Sequence, residues 1–252
     1  MKAHFRRSRT LVVALVGLVG VASSAGAQQI VGFGAAEFSG ARRSVQLLGF
    51  AVSSGLPGWS PVLTVTGLRF TFPATDILGV TRTEDAFAIA PSIGMRYQTE
   101  VGATGLHVGY IFVSGDEDVA IATGSPVGSS DGVFATFQAD YWGRGEALGQ
   151  LLVSYNFGGE YLWSRAKGAV RVGGLASPLF FGAEAILQGG GEGPVKPWAL
   201  QLGPVIALQI TPNFRVDLSG GVRLPLNRDE SGEFTTGYGR IEFVAVLPRF
   251  VR

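Results

Sequence analysis

The sequence has no cysteine and only two histidines among its 252 residues, and these shortages exclude several kinds of site. Without cysteine the chain forms no disulfide, zinc–thiolate site or iron–sulfur cluster, and it offers no thiol nucleophile. One histidine, His4, lies within the first ten residues, which leaves His107 as the remaining imidazole. We therefore expect no catalytic residue, no metal site and no cofactor.

Charge and long apolar runs are also scarce. Charged residues make up 15% of the chain, against about 25% in ordinary soluble domains. Hydrophobic residues reach 46%, and mean hydropathy is +0.30. Even so, no apolar run of about 18 residues occurs beyond the N-terminal region, so no transmembrane helix is expected. Such a composition is typical of a transmembrane β-barrel, where lipid-facing residues occupy alternate positions.

The first 27 residues have the three parts of a secretory signal peptide. A basic segment, MKAHFRRSRT, precedes the apolar run LVVALVGLVGVA and the small residues Ala25-Gly26-Ala27. This pattern predicts a cleaved signal peptide at 1–27 and a single mature domain at 28–252. Four of the 20 Lys and Arg residues lie in 1–27, against none of the 19 Asp and Glu. The mature net charge is then −3, and no basic cluster indicates a nucleic-acid partner.

A period of two residues runs through the mature chain. Between 198 and 226, large apolar residues such as Leu202 and Leu218 alternate with Gln201 and Asp217, interrupted by Thr211-Pro212-Asn213. This alternation predicts two β-strands joined by a tight turn. The same rule predicts twelve strands, at 29–39, 43–53, 61–73, 85–98, 104–114, 132–143, 146–158, 160–173, 178–188, 197–211, 213–226 and 234–250.

Connection lengths favour an even number of strands. Long connections at 74–84, 115–131, 189–196 and 227–233 all follow odd strands, as external loops do when both termini are periplasmic. The stretch 54–60 is an exception. We predict an all-β, antiparallel transmembrane β-barrel of about twelve strands in the bacterial outer membrane, surrounded by lipid and lipopolysaccharide, with ten or fourteen strands as alternatives. A soluble β-sandwich or lipocalin-like barrel would need a more polar outer face.

If the apolar faces meet lipid, the opposite faces line the lumen and hold the charges. The basic set around 164–171 is the densest, and Glu184 or Gln188 on the neighbouring strand is placed to meet it. Such charges either pair to fill the interior or form a weakly cation-lined passage. The predicted lumen-lining residues are Glu37, Arg69, Arg96, Asp140, Arg165, Lys167, Arg171, Glu184, Arg215, Asp217, Arg223, Arg240 and Glu242.

Aromatic residues occur near the ends of the predicted strands. In transmembrane barrels such residues form girdles at the two membrane interfaces. The candidates for these girdles are Trp59, Tyr141, Trp142, Tyr161, Trp163, Trp198 and Phe250.

Four segments resemble a known family. They are GFGAAEFSG at 32–40, YLWSRAKGAVRV at 161–172, FFGAEAILQGGG at 180–191 and VDLSGGVRL at 216–224. Their aromatic-x-x-x-Arg strand, Gly-x-Glu strand and glycine-rich strand resemble those of the alphaproteobacterial cellulose-biosynthesis protein BcsS, an outer-membrane barrel family. The resemblance implies a role near cellulose production and export, with Glu37, Arg165 and Glu184 as the residues that matter.

Three functions follow from these observations as expectations. The first is a non-enzymatic accessory barrel in exopolysaccharide (cellulose) secretion, with a glucan chain or the cellulose-secretion machinery as partner. The second is a small general porin. The third is a lipid A-modifying enzyme that uses His107, although no nucleophile lies near this histidine in the sequence.

Overall fold

The computed structural model describes residues 29–40, 43–75, 81–114, 131–191, 196–227 and 235–247. The predicted signal peptide and most of the 115–131 connection lie outside these ranges. None of the described residues forms a helix long and apolar enough to cross a membrane. The strands are β1 (Gln29–Ser39), β2 (Arg43–Ser53), β3 (Gly58–Thr75), β4 (Thr81–Gln98), β5 (Gly102–Ser114), β6 (Gly132–Tyr141), β7 (Ala147–Asn156), β8 (Tyr161–Arg171), β9 (Leu179–Gly190), β10 (Trp198–Thr211), β11 (Phe214–Pro225) and β12 (Thr236–Leu247).

These twelve strands close into an antiparallel barrel in which each strand pairs with its neighbour in sequence. The closing pair joins β1 to β12, from Ile30 opposite Leu247 to Ser39 opposite Tyr238. Closure leaves no unpaired sheet edge, which is the condition for a sheet to cross a membrane. The predicted outer-membrane-type barrel of twelve strands is therefore confirmed. We call the end where β1 begins and β12 ends the terminal end, and the opposite end the far end.

Side chains alternate between the lumen and the outer surface as the sequence predicts. On β10, Leu202 and Ile206 are exposed on the outer surface, whereas Gln201 is completely buried. On β11, Leu218 is exposed, and the neighbouring Asp217 is buried. Because one residue of slippage would turn every charge toward lipid, this alternation fixes the pairing register.

The structure corrects two connections. Strand β3 begins at Gly58, so the turn before it is only 54–57, and the expected exception at 54–60 disappears. Strands β3 and β4 also extend through most of the predicted 74–84 loop and leave 76–80 between them. The sequence predicts a long external loop here, but the two strands remain paired to Thr75 opposite Thr81.

The predicted aromatic girdles are partly wrong. Trp59 and Tyr141 are exposed on the outer surface near the terminal end, and the Trp59 ring lies 5.2 Å from that of Tyr97. Tyr161 and Trp163, in contrast, are buried inside the barrel. They share the strand face of Arg165, which directs them to the lumen. Phe250 lies outside the described residues.

Candidate functional site: the lumen of the barrel

Seven charged side chains from five strands meet at mid-height in the lumen. We call them the ionic cluster: Glu37, Arg165, Lys167, Glu184, Asp217, Arg240 and Glu242. All seven are buried. They come from β1, β8, β9, β11 and β12, which are joined through β10 in the closed sheet. Buried charges are stable only when they are paired and hydrogen-bonded, and each of these seven has such a partner.

Arg165 is the centre of the cluster. Its Nη2 lies 2.6 Å from Glu184 Oε2 on the neighbouring strand β9. Its Nη1 lies 2.5 Å from Glu242 Oε2 on β12, which is four strands away in the barrel order. The Arg165–Glu242 pair therefore crosses the lumen on the inner side of β9, β10 and β11. The predicted meeting of this basic strand with Glu184 is confirmed.

Lys167 makes a second bridge across the same part of the lumen. Its Nζ donates to Asp217 Oδ2 on β11 at 2.6 Å and to Glu242 Oε1 at 3.1 Å. Glu242 thus accepts from both Arg165 and Lys167 through its two oxygens. Shared acceptors of this kind hold the side chains in one arrangement, because moving one of them leaves another unpaired.

Uncharged polar groups complete the cluster. Arg240 Nη1 donates to Glu37 Oε2 at 3.2 Å, and Gln201 Nε2 donates to Glu37 Oε1 at 2.8 Å. The hydroxyl of Tyr238 donates to Glu184 Oε1 at 3.2 Å. These contacts join β1, β9, β10 and β12, so bonded side chains fill the middle of the lumen on this side. Two smaller apolar groups, around Ile186 and around Phe180, pack beside them.

The other side of the lumen is filled differently. A group of buried apolar residues from β2 to β6 packs together there, and we call it the apolar cluster: Val45, Leu68, Phe70, Ala86, Ala88, Ala90, Ile111 and Phe134. Phe70 and Ile111 are fully buried although they face the inside of a transmembrane barrel. Strand β4 contributes only alanines to this cluster, so the strand packs closely against its neighbours.

A cavity of about 560 Å³ lies between the two clusters and the terminal end. Its lining includes Gln29 and Asn213 at the terminal end, and Ala90 and Phe134 at its inner end. Arg165 and Glu242 of the ionic cluster also contribute to its wall. Phe134 and Ala90 belong to both the cavity lining and the apolar cluster, so the cavity ends against the apolar cluster at these residues.

Five other predicted residues face the interior outside the ionic cluster. Arg96 and Arg215 line the cavity, and Arg215 Nε lies 2.9 Å from Asp217 Oδ1. Asp140 also lines it and accepts from the side-chain amides of Gln138 and Gln150, at 2.7 and 3.1 Å.

The remaining two lie at different heights. Arg171 donates to the carbonyl oxygens of Gly145 and Ser177, and its guanidinium lies 4.4 Å from the centre of the Phe180 ring. It thereby ties two turns together at the terminal end. Arg223 is buried on β11, directly opposite Gln201 in the strand register.

Arg69 does not line the lumen, and its prediction was wrong. It lies on the outer surface of β3, opposite the exposed Phe87, and its Nη2 donates to Asp85 Oδ2 at 2.8 Å. The inward positions on β3 are instead Leu68 and Phe70. At this height the lumen-facing residues of β3 are apolar and its charged residue faces outward, which is the reverse of the pattern on most strands. A rule that places every charge in the lumen therefore fails here.

Several polar residues of the lumen were not singled out from the sequence. Gln201, Tyr238 and Gln150 all bond to charged residues, and Gln150 Oε1 accepts from Arg165 Nη1 at 3.2 Å. The signal that could have found them is the strand face. Tyr238 shares the parity of Arg240 and Glu242, and Gln201 and Gln150 alternate with outward apolar residues on their own strands. Trp163 shares the face of Arg165 and Lys167 in the same way.

His107 also faces the lumen and lines the cavity. It lies opposite Gly94 on β4 and Thr136 on β6. The Thr136 hydroxyl is 2.9 Å from the hydroxyl of Ser154. Within the described ranges, His107 has no hydrogen bond to a serine or threonine hydroxyl, so the geometry of a serine–histidine pair is absent there.

Comparison with known proteins identifies the fold. Neither a protein-family model nor a curated protein matches the chain. An outer-membrane channel from Pseudomonas putida F1 aligns with a TM-score of 0.53 and 8% identity, over 88% of this chain and 96% of its own. The KdgM porin gives 0.47 and 8%, over 85% and 98%. The translocator domain of the autotransporter NalP from Neisseria meningitidis gives 0.39 and 12%, over 95% and 97%. At such identities the likeness is one of architecture: the chain has a porin-like, outer-membrane-type β-barrel fold.

Proposed function

We propose that the protein is a non-enzymatic outer-membrane channel of narrow bore. The observation that carries this proposal is the cavity beside the ionic cluster, because it is an open part of the lumen within the described residues and reaches the terminal end. Solutes enter this cavity at the terminal end and pass along the side of the lumen formed by β1 to β6. The ionic cluster forms the opposite wall and keeps the barrel from collapsing or widening.

The passage is narrow for two physical reasons. The pairs that Arg165 and Lys167 form with Glu242 occupy the cross-section in front of β9 to β11. On the opposite side, the apolar cluster lies between the cavity and the far end. A constriction lined by Phe70, Ile111 and Phe134 excludes water and ions unless the side chains move, as hydrophobic gates in channels do. Ionic conductance is therefore small compared with that of an open porin.

A role in cellulose secretion is a finer form of the same proposal. It rests on the sequence resemblance of the strands that carry Glu37, Arg165 and Glu184. In the structure these three residues belong to the ionic cluster: Arg165 donates to Glu184, and Glu37 accepts from Gln201 and Arg240. Of the three, Arg165 lines the cavity. In this form of the proposal, a glucan chain or a protein of the secretion machinery binds at the cavity near the terminal end.

Cysteine labelling during single-channel recording tests the proposal directly, because the natural chain has no cysteine. Thr64→Cys places a thiol in the cavity wall, whereas Leu63→Cys places one on the outer surface of the same strand, opposite the exposed Ile93. The mature protein carrying either change is refolded into a planar bilayer. A bulky methanethiosulfonate reagent is then added.

We expect a small, steady current that the reagent reduces at Thr64→Cys and leaves unchanged at Leu63→Cys. Equal effects at both positions, or no current at all, would contradict the channel. Cello-oligosaccharides are titrated into the same recording on the wild-type protein. Block by these sugars supports the cellulose-associated role, and indifference to them leaves a general narrow porin.

A further inference from the structure

We propose that the cavity in the lumen binds small uncharged molecules with an apolar, ring-sized body and one hydrogen-bond-accepting oxygen. This inference rests on the proposed channel function, because the site lies on the proposed passage. Its ligands are then the class of solute that the passage carries. The volume of about 560 Å³ falls within the range of roughly 300–1,000 Å³ that is usual for small-molecule pockets. The chemistry of the two walls decides the class of ligand.

The first wall is apolar. The cavity-lining residues of β1, β2 and β3 include no charged side chain. Their polar side chains are Gln29 at the terminal end and the hydroxyls of Thr64 and Thr66. An apolar ring that leaves water for this wall gains free energy in proportion to the area it buries. The apolar lining residues of this wall are Val31, Phe33, Ala35, Leu47, Ala51 and Val62.

The second wall is charged, but its charges are already paired. Arg165, Lys167 and Arg240 all lie within 3.2 Å of a carboxylate oxygen. An ionic ligand would lose its hydration at this wall without gaining a free counter-charge, and that loss is costly in a confined site.

Arg96 is the lining cation without an ion pair in the described part of the chain, and it lies toward the terminal end. Asp140, of opposite charge, lines the same part of the cavity. The two charges offset each other for any ligand at the mouth of the cavity. The cavity therefore favours uncharged molecules over both anions and cations.

Trp163 supplies the specific polar contact. It lines the cavity and is 2% exposed, yet its indole Nε1 finds no acceptor among the described residues. A buried donor without a partner is rare and unfavourable. The Arg240 guanidinium lies 5.9 Å from the Trp163 ring centre and limits the positions of that ring. In this proposal the Trp163 ring turns on ligand binding, because its N–H has almost no accessible surface in the ligand-free barrel. A hydroxyl or carbonyl oxygen on the ligand then accepts from the indole N–H while the ligand's body rests on the apolar wall.

Fluorine NMR on the mature protein in lipid nanodiscs tests this assignment with three probes of equal size: 4-fluorobenzyl alcohol, 4-fluorobenzoate and 4-fluorobenzylammonium. We expect the alcohol to bind about tenfold more tightly than either ion. Trp163→Phe keeps a ring and removes the donor, so it weakens binding of the alcohol by about threefold to tenfold.

Paired variants separate cavity binding from partition into lipid. Ala35→Phe fills the cavity and is expected to abolish binding, whereas Ala36→Phe adds the same ring to the outer surface of β1 and leaves binding unchanged. Ala51→Phe is a second cavity-filling change, in case Ala35→Phe fails to fold. The inference is overturned if the ions bind as tightly as the alcohol, or if both cavity-filling variants bind like the wild type.

Conductance measured on the same preparations separates this inference from the proposed function. A barrel that conducts but binds none of the probes overturns the inference and leaves the channel. A barrel that binds the alcohol but never conducts overturns the channel and leaves a binding site.

Discussion

The two sides of the lumen fill the same kind of space by opposite means. On the side of β8 to β12, charged and amide side chains bond across the barrel, whereas on the side of β2 to β6, alanines and a few large apolar residues pack together. A hydrogen-bonded ionic network holds one arrangement, since losing one member leaves others unpaired. An apolar contact has no preferred direction and tolerates movement. The comparison teaches that one wall of the passage is rigid and the other is the wall that can open.

The largest effect is expected from Glu242→Gln. This change keeps the size of the side chain and removes the charge that faces Arg165 at 2.5 Å and Lys167 at 3.1 Å. Removing one partner of a buried ion pair lowers the free energy of unfolding by about 3–5 kcal/mol. Urea unfolding in lipid vesicles, followed by tryptophan fluorescence, measures this change.

Asp85→Asn is the matched control for Glu242→Gln. It removes the same charge from the exposed Arg69–Asp85 pair on the outer surface, where we expect a much smaller loss because an exposed pair contributes little to stability. Similar losses for the two variants would mean that the ionic cluster is not a rigid, fully desolvated wall.

A smaller effect is expected from Ile111→Val in the apolar cluster. Ile111 is fully buried, and the change removes one methylene group from its packing. Such a truncation lowers the free energy of unfolding by about 0.5–1.5 kcal/mol. The same urea experiment measures it. A loss as large as that of Glu242→Gln would show that the two sides are equally intolerant of change and would remove the contrast between them.

The smallest effect is expected at the far end, where the ammonium group of Lys196 donates to Glu160 in the loops before β10 and β8. That hydrogen bond and the charge of Lys196 hold the pKa of Glu160 below its usual value. The pair therefore contributes stability above the ordinary glutamate pKa of about 4.3, and the contribution disappears as pH falls through the lower folded value.

Glu160→Gln and the wild type should then differ slightly in unfolding midpoint near neutral pH and converge in acid. Unfolding midpoints measured across the acidic range provide the comparison. In a Lys196→Met background the same substitution should have no pH-dependent effect. A difference that persists in that background would assign the effect to another contact of Glu160.

Much of the barrel could be predicted from the sequence because its signal is local. Alternation along each strand depends on residues two apart, so the faces of β10 and β11 and the number of strands followed from the sequence alone. The boundaries of β3 and β4 did not, because pairing between long neighbouring strands extends them past residues that favour loops. Arg69 was misplaced because the rule that charges face the lumen fails where the lumen is apolar.

The contacts of the ionic cluster form only when the barrel closes, and the sequence pattern does not show which strands then face each other across the lumen. The proximity of Arg165 to Glu184 follows from neighbouring strands and was predicted. The Arg165–Glu242 and Lys167–Asp217 pairs join strands that do not touch in the sheet. Alternation places such residues on the inner face, but it does not say which of them meet across the lumen. The apolar cluster was missed for the same reason.

The most direct test of the central claim compares the single-channel conductance of three variants. Phe134→Ala removes the ring that the cavity lining and the apolar cluster share, and Ile186→Ala removes a fully buried side chain opposite Arg165 in the strand register. Phe137→Ala is a control on the outer surface of β6. The account predicts a severalfold larger current for Phe134→Ala alone. A larger current for Ile186→Ala, with no change for Phe134→Ala, would place the passage on the ionic side and contradict the account.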